Sequence, residues 1–126
     1  MASKVQFGEV VVERHGGVAV LRLLGEHDTS TLAALKRAIA KPVEAGEGVV
    51  VSLVETQFLD AAIVRALWEG DHELQPHGRL VVHVATENVV RRVIEITGLT
   101  EDLPTTRSLQ GALAGARQRR SSENNA

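Results

Sequence analysis

The chain has 126 residues, of which 44% are hydrophobic, and a formal net charge of −2 at pH 7. This length suits one domain with its own core, and the small charge gives no general attraction to nucleic acid or anionic membranes. The absence of cysteine excludes disulfides and thiolate chemistry, and the aromatic residues are too few to stack on single-stranded nucleic acid. No apolar run approaches the roughly 18 residues of a membrane span, so we expect a cytoplasmic protein.

A glycine pair near the start of the chain predicts a β-hairpin. Residues 5–14 and 18–24 are rich in Val and Leu, as expected of strands, and Gly16 and Gly17 lie between them. Glycine adopts the positive φ that two-residue hairpin turns require. We therefore expect the first two strands to pair in an antiparallel manner.

Asp28 follows the second strand and is a natural N-cap for a first helix. Apolar residues then recur at helical spacing and define one face of that helix: Leu32, Leu35 and Ile39. Pro42 lacks the backbone donor that a helix interior uses, so we expect this helix to bend or end near Lys41.

The strongest pattern in the sequence is a buried strand that leads into a helix. Residues 49–54 form an apolar run typical of a strand covered on both faces. After a short polar connection, Asp60 is placed as the N-cap of a second helix that extends to about Gln75. The residues just inside this helix, Ala61 and Ala62, carry no reactive group. Asp60 therefore lies where α/β proteins place functional residues, yet its neighbours are inert.

The remaining chain predicts further alternation of strand and helix. Residues 80–85 form another buried strand that contains His83, which we interpret as a core histidine. Thr86 caps a third helix, and Gly98 ends it with Leu99 packed back in a Schellman motif. The residues of this helix expected to face the core are Val89, Val90, Val93, Ile94 and Ile96.

A short last strand within residues 100–106 and a fourth helix capped by Ser108 complete the predicted fold. Helical crossovers after the second strand favour parallel pairing of the later strands. We predict a single α/β domain over residues 5–116, with a mixed five-stranded sheet and four helices in the order β-β-α-β-α-β-α-β-α. Residues 117–126 are polar, and we interpret them as a disordered tail.

Sequence motifs for catalysis, phosphate binding and metal binding are absent. The glycine pairs match neither the phosphate-loop pattern nor the dinucleotide fingerprint, and the histidines lack the spacing of metal ligands. His27 beside Asp28 resembles a pair that orients a nucleophile, but no nucleophile elbow accompanies it. Capping is the favoured role of Asp28 and Asp60, and we predict no enzyme activity, cofactor or metal.

The loops after the second and third strands are predicted to meet. If these strands are parallel neighbours, both loops emerge at the same carboxyl edge of the sheet. Asp28 and Asp60 then lie on one surface at the N-termini of two helices. Each carboxylate caps its helix, a contribution of about 1 kcal/mol. The small side chains of Ala61 and Ala62 allow a partner backbone to approach this surface.

Three short segments resemble motifs of one protein family. Residues 25–31, Gly-Glu-His-Asp-Thr-Ser-Thr, resemble the Gly-Glu-x-Asp-x-x-Thr segment of STAS domains, the fold of bacterial anti-sigma factor antagonists. Residues 49–60 resemble the central strand that leads into the family's Asp-Ser-Ser-Gly or Asp-Ser-Thr-Gly motif. Residues 97–99, Thr-Gly-Leu, resemble the segment after the family's third helix. Their order and spacing extend the resemblance over residues 5–114.

The resemblance implies binding to an anti-sigma factor that is also a serine kinase. In the family, this kinase phosphorylates the first Ser or Thr after the motif Asp, and the added charge breaks the complex. Asp28 and Asp60 align with the family's acidic positions, and Ala61, which has no hydroxyl, aligns with the phosphoacceptor. Ile63 stands where the family has glycine, and we expect its side chain to add bulk where a partner comes close. Ser52 replaces the Asp or Asn that often ends the central strand.

The leading hypothesis is a non-catalytic, anti-sigma factor antagonist-like regulator that cannot be phosphorylated at the usual position. The residues expected to contact the partner are Asp28, Thr29, Thr31, Asp60, Ala61, Ala62 and Ile63. A divergent STAS scaffold or self-associating module, forming a homodimer, is the alternative, and a small-ligand or nucleotide-binding STAS domain is a third. Phosphorylation displaced to another hydroxyl is left open, and the residues considered are Thr29, Ser30, Thr31 and Thr56.

Overall fold

The computed structural model describes residues 8–75, 77–84, 89–98 and 103–118. The first elements are β1 (Glu9–His15), β2 (Val18–His27), a 3₁₀ turn (Thr29–Thr31) and α1 (Leu32–Ala45). The central elements are β3 (Gly48–Ser52), β4 (Thr56–Leu59) and α2 (Ala61–Leu74). The last elements are β5 (Leu80–His83), α3 (Val89–Thr97), β6 (Thr105–Thr106) and α4 (Leu109–Arg117).

The strands form one mixed sheet in the order β1-β2-β3-β5-β6, with β4 paired to the end of β2. β1 is antiparallel to β2, and the later neighbours are parallel. The predicted α/β class, with a mixed sheet and four helices, is confirmed. The sheet has six strands rather than five, because the segment interpreted as a polar connection before Asp60 pairs with β2 as β4.

Both faces of the sheet carry helices. On one face, alternate residues of β2, β3 and β5 pack against α1, α2 and α3 in the larger core cluster. On the other face, α4 packs on the smaller cluster, and the buried residues of that cluster are Val18, Val20, Val50, Val81, Ala112 and Ala116. α4 has only nine residues, so the sheet beyond its first residue, Leu109, is open.

The hairpin turn between β1 and β2 has the predicted form. Gly16 and Gly17 have φ values of 54° and 85°, and His15 lies opposite Val18. Positive φ at both central residues is the type I′ geometry, whose twist matches that of the flanking strands. The antiparallel pairing predicted from the glycine pair is therefore confirmed.

α1 does not end near Lys41, so of the two expected outcomes, a bend or an end, the end was wrong. The helix continues through the buried Pro42 to Ala45, and Gly46, at φ 71°, caps its end. The N–H of Gly46 bonds to the carbonyl of Pro42 and, at 3.0 Å, to that of Val43. The proline costs one helical hydrogen bond in the last turn, and burial of its ring together with the glycine cap compensates for that loss.

α3 presents a narrower apolar face than expected. The residues that pack against the core are Val90, Val93 and Ile94. Ile96 is 76% exposed, so its predicted inward position was wrong: two residues after Ile94, a helical side chain points to the opposite side. Gly98 has φ 75°, as expected of a glycine that ends a helix. The predictions for Thr86, the side chain of Val89 and Leu99 fall outside the described residues, as do those for residues 5–7, 85, 100–102 and 119–126.

The C-terminal elements match the prediction closely. β6 lies within residues 100–106, and the Ser108 hydroxyl caps α4 by accepting a hydrogen bond from the N–H of Gly111 at 3.0 Å. Arg117, which the sequence placed in the tail, belongs to α4. Its guanidinium donates to the carbonyl of His15 at 3.2 Å and so joins the end of α4 to the hairpin turn.

Candidate functional site

Asp28 caps the short 3₁₀ turn that leads into α1, whereas the N-cap of α1 is Thr31, with no side-chain cap bond, so the prediction that Asp28 caps α1 itself was wrong. Its backbone is extended, with φ −134° and ψ −159°. Its carboxylate accepts hydrogen bonds from the Ser30 hydroxyl and from the backbone N–H of Ser30, the latter at 2.8 Å. These bonds, the hydroxyl bond first, hold the pKa of Asp28 below its ordinary value. Asp28 is therefore an ionised cap at neutral pH.

Asp60 caps α2 in a similar way. Its φ is −85° and its ψ is 151°, and its carboxylate accepts a hydrogen bond from the N–H of Ala62 at 2.8 Å. Ala61 is exposed at the first position of the helix, and Ala62 is half-buried. The surface beside this cap therefore carries methyl groups rather than polar side chains. The cap and helix predicted from the sequence are confirmed.

The two caps lie side by side, as the sequence predicted. β4 runs parallel to β2 with Leu59 opposite His27, and the N–H of Asp60 donates to the carbonyl of His27 at 3.0 Å. We call the surface formed by residues 28–31 and 60–62 the cap edge. Because one carboxylate caps α2 and the other caps the turn before α1, this surface is unfavourable for an anionic ligand such as a nucleotide phosphate.

His27 supports the cap edge from below and does not reach its surface. The side chain is fully buried, its Nε2 lies 3.2 Å from the carbonyl of Leu24, and its Nδ1 lies 3.1 Å from the Thr31 hydroxyl. Since a carbonyl only accepts, Nε2 donates to Leu24, while the Thr31 hydroxyl donates to the carbonyl of Asp28 at 3.1 Å. Burial lowers the pKa of His27, so the ring is neutral at pH 7. It is a structural connector rather than an accessible acid or base.

The candidate hydroxyls for displaced phosphorylation differ sharply in accessibility. Thr29 and Ser30 are exposed on the cap edge, and Thr31 is half-buried. Thr56 is buried, and its hydroxyl donates to the carbonyl of Leu23 at 2.7 Å. A kinase has access to Thr29 and Ser30, whereas Thr56 would first have to leave the sheet.

Ile63 does not contribute to the cap edge. Its side chain is fully buried in the larger core cluster, on the same side of α2 as Leu67 and Leu74. The expectation that Ile63 adds bulk at the surface and contacts a partner was wrong, because the third position of this helix faces the sheet. The isoleucine extends the core without changing the exposed surface around Ala61.

Phe58 is an exposed aromatic residue two positions before Asp60, which sequence reasoning did not place on the surface. It lies opposite Glu26 in the pairing of β4 with β2, and 45% of it is exposed. Leu59, the next residue, is buried on the other face of the sheet. Because residues 56–59 show no clear apolar alternation, no pattern in the sequence indicated this exposure.

Asp71 anchors the far end of α2, another feature that sequence reasoning missed. The residue is 1% exposed, and its carboxylate accepts hydrogen bonds from Arg79 Nε at 3.0 Å and Nη2 at 2.8 Å. It also accepts from the N–H of Leu80 and from the Gln75 amide, at 2.8 and 2.9 Å. The available signal was its position: an acidic residue four after Leu67, on the core-facing side of the helix.

The open part of the second sheet face forms a groove of about 360 Å³. Arg22 lies in this groove between the carboxylates of Glu55 and Glu13, which balance its positive charge. Its hydrogen bonds to Glu55 and Glu13 raise the pKa of the guanidinium. His83, predicted as a core histidine, is instead half-buried on the groove wall, with Nδ1 3.4 Å from the Ser52 hydroxyl. That prediction was wrong because α4 is too short to cover the end of β5.

The described residues include no group of three or more His, Asp or Glu side chains arranged to hold a metal ion. In the same part of the chain, every helix is too short or too polar to cross a bilayer. The cap edge itself carries two half-buried capping carboxylates, the hydroxyls of residues 29–31 and the methyl groups of Ala61 and Ala62. This set suits contact with another protein better than covalent chemistry.

Comparison with known families gives one match over most of the chain. The model of the STAS domain matches residues 9–112. The anti-sigma-F factor antagonist RsfB of Mycobacterium tuberculosis is 34% identical over 109 residues, which cover 86% of this chain and 88% of the relative.

Several solved structures share the fold. An anti-sigma factor antagonist from Mycobacterium paratuberculosis superimposes with a TM-score of 0.80 at 28% identity, over 94% of this chain and all of that one. The antagonist SpoIIAA in its unphosphorylated form gives a TM-score of 0.66 at 17% identity, over 82% and 92% of the two chains. A structure of Bacillus SpoIIAA in the phosphorylated form is also similar in fold.

Proposed function

The chain belongs to the STAS domain family, and on that premise we propose that it is a non-catalytic regulator of the anti-sigma factor antagonist type. The relatives named above are anti-sigma factor antagonists, and the two mycobacterial ones match nearly the whole chain. The observation that carries the proposal is the cap edge, where two capping carboxylates and two alanines lie on one surface. On the same premise we propose a cytoplasmic location.

The proposed partner is an anti-sigma factor of the serine-kinase type. Its contacts fall on Asp28, Thr29, Thr31, Asp60, Ala61 and Ala62. Both carboxylates are fixed by capping bonds, so a cationic group of the partner meets charges that lose little freedom on binding. The exposed methyl group of Ala61 allows close backbone approach at the start of α2. The partner is bound by mass action, so the abundance of the protein sets its effect.

The proposed regulator lacks the phosphate switch at the usual position. Phosphorylation is part of the description of SpoIIAA, and the resemblance aligns Ala61 with the phosphoacceptor. A methyl group cannot accept phosphate, so no negative charge can be added there. A displaced switch would use Thr29 or Ser30, the exposed hydroxyls of the same surface.

Binding titrations against the anti-sigma factors of the source organism test the proposal. We expect Ala61→Asp to weaken binding at least tenfold, because the larger, hydrated side chain occupies the space in which the Ala61 methyl group allows the partner backbone to approach. Ala114→Asp makes the same change on an exposed position of α4 and should leave the affinity unchanged. Absence of binding to every anti-sigma factor, or equal effects of the two substitutions, would contradict the proposal.

Mass spectrometry after incubation with the bound kinase tests the missing switch. The wild-type chain should gain no phosphate, and Ala61→Ser should gain one. A phosphate on the wild-type chain that disappears in Ser30→Ala or Thr29→Val would instead establish the displaced site.

A self-associating scaffold is the second candidate function, and the outer side of β1, which has no partner strand in the described part of the chain, favours it. Such a scaffold need not bury the cap edge. Light scattering on the isolated protein separates it from a strictly monomeric antagonist.

A further inference from the structure

β1 is an edge strand whose outer side has no partner strand among the described residues. It lies first in the strand order and has seven residues, whereas β6 at the opposite edge has two. An edge of this length presents a row of backbone donors and acceptors that can pair with another strand.

The hairpin register determines which backbone groups of β1 are free. His15 lies opposite Val18 across a two-residue turn, so this pair exchanges both hydrogen bonds, and bonded pairs recur at every second residue. The N–H and C=O groups of Val10, Val12 and Arg14 therefore point away from β2. Val12, at the centre of the strand, is 52% exposed, which is high for valine in a sheet.

We propose that the outer side of β1 pairs in an antiparallel manner with β1 of a second copy of the chain, about a twofold axis at Val12. This axis places Val12 opposite Val12 of the second copy and Val10 opposite Arg14. The free backbone groups of these residues then satisfy one another. The same register places the Glu9 carboxylate opposite the His15 imidazole, which can donate a hydrogen bond to it.

The charges along β1 select this register over its neighbours. Directly opposed residues share one face of the sheet, so the axis must pass through a residue of β1. An axis at Val11 would place Glu9 opposite Glu13, and an axis at Glu13 would place that carboxylate opposite its own copy. Like charges directly opposite destabilise a strand pair. The axis at Val12 avoids both arrangements.

The dimer would carry two cap edges that do not face each other. A twofold axis perpendicular to the sheet reverses the strand direction, so the cap edges lie at opposite ends of the joined sheet. If the proposed function holds, the dimer is bivalent and gains apparent affinity for any partner that presents two binding sites. The pairing itself does not depend on that function.

Single-cysteine cross-linking of the isolated chain tests the pairing. The natural sequence has no cysteine, so a disulfide can form only between introduced residues. In the proposed register the two Val12 Cα atoms are about 5.5 Å apart, within disulfide reach, whereas the two Val11 Cα atoms are about 8 Å apart and cannot be bridged. We expect Val12→Cys to form a covalent dimer under mild oxidation and Val11→Cys, Glu13→Cys and Arg14→Cys to remain monomeric.

Sedimentation measurements provide an independent readout of the same pairing. Val12→Pro removes only an outward N–H, a change that edge strands tolerate, and should weaken the dimer at least tenfold while leaving the thermal midpoint nearly unchanged. Val12→Thr keeps the N–H and the branched shape and should remain dimeric. A monomeric wild-type chain up to high micromolar concentration, or a cross-link at Val11 or Glu13 rather than Val12, would overturn the proposal.

Discussion

Replacement of Arg79 by alanine tests how the cap edge is held in place. α2 carries Asp60 at its start and the buried Asp71 near its end, and Arg79 makes two hydrogen bonds to the Asp71 carboxylate. Those bonds also raise the pKa of Arg79, so the guanidinium stays charged. The substitution would leave a buried carboxylate with only its bonds to Leu80 and Gln75.

The structure sets the expected size of the effect. Each lost bond is charge-assisted and contributes about 1.5 kcal/mol, which gives a loss of about 3 kcal/mol in the free energy of unfolding. The value lies at the lower end of the range for breaking a buried ion pair, because two donors to Asp71 remain. For a domain of this size it corresponds to a decrease of about 10 °C in the thermal midpoint.

Urea unfolding followed by tryptophan fluorescence measures this loss. Trp68 is the only tryptophan, lies in α2 and stacks on His72 with ring centroids 4.2 Å apart, so its emission reports directly on this helix. Arg65→Ala is the matched control, since Arg65 pairs with Glu69 on the exposed side of α2 and should cost at most about 0.5 kcal/mol. A loss below about 1 kcal/mol for Arg79→Ala, or equal losses for both variants, would refute the reasoning.

Further predictions concern pH, packing and the separation of stability from binding. Burial places the pKa of His27 in the folded state below its unfolded value of 6.5, so the unfolded chain takes up the proton first. The free energy of unfolding should therefore decrease as pH falls below about 6.5, by at most about 1.4 kcal/mol per pH unit, and His27→Gln should flatten this slope in urea titrations. Gly48→Ala should cost about 1–3 kcal/mol in urea midpoints, because a Cβ would meet the backbone carbonyl of Ala116, which cannot move aside. Gly98→Ala, with open space but φ 75°, should cost about 1 kcal/mol; a smaller loss for Gly48→Ala than for Gly98→Ala would contradict the packing argument. Ala61→Asp should leave the thermal midpoint unchanged or higher, since a carboxylate suits a helix N-terminus, and a lower midpoint would show that its effect on binding includes unfolding.

Local patterns predicted most of the fold because each was strong on its own. The glycine pair determined the hairpin, and Asp60 and Ser108 marked two helix caps that the structure confirms, whereas Asp28 caps the 3₁₀ turn before α1. The parallel order of the strands was enough to predict that Asp28 and Asp60 lie at the same edge of the sheet.

The features that the sequence did not reveal depend on tertiary partners. β4 has no clear apolar alternation, and only its pairing with β2 makes it a strand. Pro42 remains helical because the core and Gly46 compensate for its missing donor. Ile63 was placed on the surface by alignment to a motif, whereas the rotation of α2 directs it to the core. The sequence likewise did not indicate that α4 is too short to cover His83, because this depends on how α4 packs on the sheet.

The hydrogen bond from the Asp60 amide to the His27 carbonyl crosses from one loop of the cap edge to the other. Its exchange with deuterated solvent therefore measures how often the two loops separate, at a single resolved amide. A partner that binds the cap edge without changing its conformation should slow this exchange. A partner that separates the two loops on binding should accelerate it. The exchange rate of this one amide therefore distinguishes a rigid binding surface from one whose two loops separate when the partner binds.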